Sequence, residues 1–127
     1  MYGIHSLKFF GKAGRFEDHR GTIIDLLGPV DAVTEVRTLA SAVRGNHYHP
    51  RSDQFVYVVS GRMLFASLRD DGLHEEVHGP GDLVCEPAGI PHAWRAISDC
   101  TVLVFAAGPR GADFESDTQR LEVPLLR

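Results

Sequence analysis

A chain of 127 residues with 43% hydrophobic residues fits one domain and can bury a core. Its net charge of −4 is spread along the chain, with no acidic tail and no basic stripe, which excludes a disordered chain and a nucleic-acid binder. No apolar run approaches the roughly 20 residues of a membrane span, and the opening MYGIHSLKFFGKAGR lacks the apolar stretch of a secretory signal, so a cytoplasmic protein with no membrane partner is expected.

In chain order, Phe9 to Arg20 is basic, aromatic and broken by glycine, and reads as an irregular arm with a short strand. Thr22 to Leu27 is β-branched and apolar, a strand ended by Gly28-Pro29. Val33 to Leu39 alternates well enough for a strand, and Ala42 to His49 follows, stopped by Pro50. Gln54 to Val59 is a strong strand, Ser60-Gly61 a tight turn, and Arg62 to Leu68 its hairpin partner. Asp70-Asp71-Gly72 turns into Leu73 to Val77, and Gly79-Pro80-Gly81-Asp82 turns into Leu83 to Glu86. His92 to Ile97, the Ser98-Asp99 turn and Cys100 to Ala106 complete the regular part. Many short strands with frequent turns predict an all-β sandwich or barrel. The expected division is an arm over 1–20, a barrel over 21–106 and a tail over 107–127 of a single domain. Cys85 and Cys100 fall in strand-rich segments and are expected to be buried thiols, with a disulfide left open.

The chemistry concentrates in RGNHYHPRSDQFVYVVSG, residues 44–61. On a strand, residues two apart share a face, so His47 and His49 offer their imidazoles to one point. Gln54 adds an amide oxygen from the next strand. The turn residues Pro87, Gly89 and Pro91 deliver His92 at the start of another strand. Three histidines and a glutamine suffice for one divalent metal ion: zinc, nickel, iron or manganese suits such donors. An open coordination position is then left for water or substrate. If Gln54 points inward, so do Val56 and Val58; if His92 does, so do Trp94 and Ala96. The expected pocket has a polar mouth and an apolar floor. Trp94 is either a wall for a ligand or barrel filling.

These residues resemble the two cupin motifs. The first, HxH, four residues, Glu, six residues, Gly, is matched by His47, His49, Gln54 and Gly61, with Gln54 in place of the usual Glu. The second, Gly, five residues, PxG, two residues, His, is matched by Gly81, Pro87, Gly89 and His92. The resemblance implies a cupin-type double-stranded β-helix, a jelly-roll barrel. GRFEDHRGTIIDLL with Asp18, Arg20 and Gly21, VRGNHYH with Arg44 and Gly45, and ADFESDTQRL with Asp117 and Arg120 look like the cupins that isomerise or epimerise deoxy-sugar nucleotides. That narrower resemblance implies His47 and His49 as acid and base, and Arg44 as a phosphate-binding group. In the ketoisomerases the HxH pair works without a metal, whereas His92 pulls this chain towards metal-bearing relatives, including the cupin domains of capsule-sugar enzymes. The expected function is a metal-binding isomerase or epimerase of a small keto-sugar. A metal-dependent oxygenase or lyase, and a non-catalytic metal or sugar binder, stand as alternatives. A homodimer is expected, with Lys8 to Phe16 lying on a neighbour's sheet.

Overall fold

Runs of β-branched and aromatic residues broken by Gly, Asp and Pro turns leave this chain little choice but short strands. The structure, a computed structural model, describes residues 15–108 and 115–127. The strands are β1 (Arg15–Asp18), β2 (Gly21–Ile24), β3 (Ala32–Thr38), β4 (Val43–Tyr48), β5 (Asp53–Ser60), β6 (Met63–Arg69), β7 (Gly72–His78), β8 (Leu83–Glu86), β9 (His92–Ala96), β10 (Cys100–Ala107) and β11 (Gln119–Arg120). The only helical turn among the described residues is a 3-10 segment, Glu115–Asp117, and no helix there is long and apolar enough to cross a membrane. The arm's Lys8 to Gly14 lie outside the described residues, as do 109–114 of the tail.

The strands form two facing antiparallel sheets, ordered β3-β10-β5-β8 and β11-β4-β9-β6-β7, with β1-β2 as a separate hairpin. This is the jelly-roll expected from the sequence. Between the sheets lie Val56, Val58, Met63, Phe65, Val84, Trp94, Val102 and Val104. Each large apolar side chain buried here contributes about 1.5–3 kcal/mol relative to exposure. The alternation of β5 divides its residues as expected. Val56 and Val58 face this core, whereas Phe55 and Tyr57 face outward, where Phe55 packs with Leu83 and Cys85 under Leu27 and Phe105. Cys85 and Cys100 are buried free thiols. Burial, aided by Asp53 and Glu86, pushes the Cys85 thiol up to about 12, so it is unreactive.

Two features bring the motif residues together. The β5–β6 turn needs Gly61, at φ 78°, because a Cβ there would meet the Asp99 carbonyl oxygen at 2.1 Å. The Pro87–Ile90 turn docks on the first motif: Gly89 N–H donates to the His49 carbonyl at 2.8 Å and Ala88 N–H to the Asp53 carboxylate at 2.8 Å. That docking sets His92 opposite His47 in the β4–β9 ladder. The tail, given no regular structure in the sequence reading, contributes β11, paired with β4. Beyond it, Leu125 and Leu126 pack on the outer face of the five-stranded sheet against Ala66 and Ala93.

Candidate functional site

β4 carries a bulge. Its register with β9 runs Arg44↔Trp94 and Gly45↔Ala93, then skips to His47↔His92. The extra residue is Asn46, at φ 58°, beside Gly45 at φ 89°. Plain alternation would put Arg44 and His47 on opposite faces; the bulge puts both on the inner face, with Trp94 and His92. The backbone is pressed close here, since a Cβ on Gly45 would lie 3.0 Å from the His92 carbonyl oxygen. Asn46 also fastens the tail. Its Oδ1 accepts from Leu125 N–H at 2.8 Å and Leu126 N–H at 3.1 Å, and its Nδ2 donates to the Leu126 carbonyl at 2.9 Å.

His47, His49 and His92 converge, with ring centroids 4.7, 5.0 and 5.3 Å apart and one nitrogen from each within 4.8 Å of the others. Two of the rings are held from behind. His49 Nδ1 donates to the Asp117 carbonyl at 2.9 Å, and His92 Nδ1 donates to the Ile90 carbonyl at 3.1 Å. Each bond turns Nε2 forward as the acceptor, the arrangement that metal-ligating histidines use. His47 Nδ1 is buried without a hydrogen bond. Burial, then the nearby His92, His49 and Arg120, lower the His47 pKa to about 3, so its imidazole is neutral at physiological pH. Imidazoles converging from two chain segments fit a divalent cation, and the cluster is compatible with a metal site.

Asp117 is set by its own partners. It is buried, its Oδ2 accepts the Ser52 hydroxyl, and its Oδ1 accepts Arg51 N–H at 2.9 Å. Burial opposes its ionisation, but Ser52 and Arg51 outweigh burial and hold the carboxyl below its usual value. The tail therefore fixes the tautomer of a histidine in the first motif.

Gln54 is buried and lines the same cavity of about 520 Å³ as the three histidines. Arg44 lines it too, aimed by two bonds from its guanidinium, to Thr38 Oγ1 at 2.9 Å and to the Arg37 carbonyl at 3.0 Å. Trp94 borders the cavity and also fills the barrel, standing edge-on to Phe65 at 5.8 Å. All six residues singled out from the sequence are thus brought to one cavity. Arg120, from β11 beside His47, lines it as well. Sequence reading gave Arg120 no place in the site, because pairing between a tail and a distant strand leaves no local pattern. Glu86 was missed for the same reason. It lies opposite Gln54 in the β5–β8 ladder and is 5% exposed. Its Oε2 accepts the Trp94 indole N–H at 2.8 Å, and its Oε1 stands 3.8 Å from His92 Nε2. Burial pushes its carboxyl up, opposed by His92 and Trp94.

The Cupin domain family matches residues 35–107. No curated protein matches the sequence. Among solved structures, the chain is similar to dTDP-4-dehydrorhamnose 3,5-epimerase from Sulfolobus tokodaii, with TM-score 0.67, 19% identity, and 84% of this chain and 72% of that one covered. It is similar to QdtA, a sugar 3,4-ketoisomerase from Thermoanaerobacterium thermosaccharolyticum solved with TDP, with TM-score 0.70, 16% identity, and 87% and 85% covered. It also resembles the capsular polysaccharide assembling protein CapF from Staphylococcus aureus, with TM-score 0.64 and 20% identity, covering 86% of this chain and 34% of that one. At these identities the likenesses speak for the fold alone. With both motifs on the facing walls of one jelly-roll, and the family matched over more than half its length, the chain belongs to the cupins.

Proposed function

We propose that this cupin binds a divalent metal ion through His47, His49, His92 and Gln54, and isomerises or epimerises a small keto-sugar carried on a nucleotide. The observation that carries the reading is that one cavity of about 520 Å³ holds both the imidazole cluster and two guanidinium groups, Arg44 and Arg120. That volume suits a sugar, since small-molecule sites run to roughly 300–1,000 Å³. Arg44 and Arg120 take the phosphates, for which the guanidinium fork is matched, and Trp94 offers an apolar wall to the sugar. The names of the similar structures, two sugar-nucleotide isomerising enzymes among them, support this substrate class. A divalent ion bound here polarises a substrate carbonyl and stabilises charge on its oxygen.

Proton transfer beside that carbonyl needs a base. From the sequence, His49 is the first candidate if it is not tied to a metal. His47 is also a proposed metal ligand, so it serves as base only in the metal-free protein, where its Nδ1 has no hydrogen bond among the described residues whereas His49 and His92 are tethered through Nδ1. Tyr57 is on the outward face of β5 and takes no part. The test is deuterium incorporation from solvent into dTDP-keto-sugars, followed by NMR. Native protein labels the carbon next to the carbonyl, whereas His47→Asn and His49→Asn, each removing a proposed metal ligand, lose metal as well as exchange. No label with any keto-sugar, together with oxygen uptake on another substrate, moves the protein to the oxygenases.

A further inference from the structure

Gln54 stands where the first cupin motif has a carboxylate, which leaves the histidine cluster without a negative charge at that position. The rung of the ladder that holds Gln54 supplies one from its other end. Gln54 and Glu86 are directly paired between β5 and β8, so both side chains point to the same face, into the barrel. Glu86 is 5% exposed, and it has two oxygens in different situations. Trp94 holds Oε2 at 2.8 Å. Oε1 is buried without a hydrogen bond and lies 3.8 Å from His92 Nε2. In the neutral ring that nitrogen is an acceptor, because the other ring nitrogen donates to the Ile90 carbonyl. With the ring neutral and the carboxyl ionised, two electron-rich atoms would face each other across a gap too long for a hydrogen bond, in a setting where a bare carboxylate is costly. A cation bound at His92 Nε2 would find Oε1 beside it.

We infer that Glu86 Oε1 is the anionic ligand of this centre, replacing in charge what Gln54 lacks. Trp94 acts as the residue that orients it. The inference rests on the metal reading given above. It changes the chemistry expected of the ion, whose double charge is partly offset instead of facing substrate in full.

Metal titration of the full chain, prepared without a metal-affinity tag, tests this, with zinc followed calorimetrically and cobalt followed by its visible spectrum. Glu86→Gln keeps the shape and a partner for Trp94, and is expected to bind at least about 100-fold more weakly, beyond the range for residues that only orient a ligand. Its cobalt spectrum, where binding can be forced, differs from native. The double variant Q54E/E86Q moves the carboxylate to the other end of the same rung and is expected to recover affinity to within about tenfold of native. Equal affinity of E86Q and native overturns the role of Glu86 and leaves the metal reading standing. No binding by native protein overturns both. Should E86Q fail to fold, Glu86→Asp decides: unchanged zinc affinity overturns the inference, and weakened affinity with an altered cobalt spectrum upholds it.

Discussion

His49 owes its orientation to Asp117, a residue 68 positions away in sequence, whose carbonyl takes Nδ1–H while its carboxylate ties down Arg51 and Ser52. Removing the buried charge by Asp117→Asn is expected to cost about 1.5–3 kcal/mol at pH 7. The folded carboxyl is held below its usual value of 3.8, so its stabilisation is complete above that pH and lost as pH falls through the folded value. The gap in urea midpoint between native and D117N is therefore expected to close below about pH 4. His47 acts with the opposite charge and in a different window. In the metal-free protein its folded value near 3 lies below the unfolded 6.5. Above pH 6.5 both states are neutral. From 6.5 down to about 3 the unfolded chain takes a proton that the fold refuses, so stability falls with pH. His47→Asn is expected to flatten that slope, read from denaturant midpoints between pH 7 and 4.5. Ligand histidines must also be neutral, so metal occupancy drops as pH falls through about 6.5; native protein retains metal at pH 7.5 by mass spectrometry and His92→Ala does not.

Among the elements, most strands from β2 to β10 were legible, because they are runs of β-branched and apolar residues that end at Gly, Pro or Asp turns, whereas β11 was not. β8 matches its expected bounds of Leu83 to Glu86, while β2 ends at Ile24, three residues before the expected Leu27. The facing of Gln54, Val56 and Val58 followed from strand parity alone. Arg44 did not: only the bulge at Asn46, a product of β4 packing on β9, turns it inward. The motifs pointed to the histidines through fixed spacings, whereas Glu86 and Arg120 enter through ladder pairings that no local pattern records. Gly45→Ala tests the bulge. It combines φ 89° with a Cβ at 3.0 Å from the His92 carbonyl oxygen, and is expected to cost about 1–3 kcal/mol in thermal unfolding. Metal affinity falls with it, since the same step moves β4 against His92.

At the scale of the whole molecule, the β1–β2 hairpin forms a sheet of its own, with Ile23 65% exposed and Ile24 42% exposed. The homodimer expected from the sequence, with Lys8 to Phe16 on a neighbour's sheet, would place a second copy near this hairpin, and light scattering at micromolar concentration tests it, a dimer being the expected outcome. A chain starting at Asp18 lacks β1 and is expected to be monomeric.

The proposed donors of the site are divided between the two walls of the barrel. His47 and His92 belong to the β4–β9 pair, Gln54 and Glu86 to the β5–β8 pair on the opposite sheet. An ion gripped by both is a clasp, closing the open end of a structure whose other end is already shut by Val58, Met63, Ala96 and Cys100. Prising the sheets apart would then require the clasp to open first. Saturating metal, at about 100 times the dissociation constant, is expected to add about 2.7 kcal/mol to unfolding. Because the clasp opens at the mouth, it should slow the escape of anything trapped beneath it, so that metal lengthens the residence of a bound nucleotide as well as the lifetime of the fold.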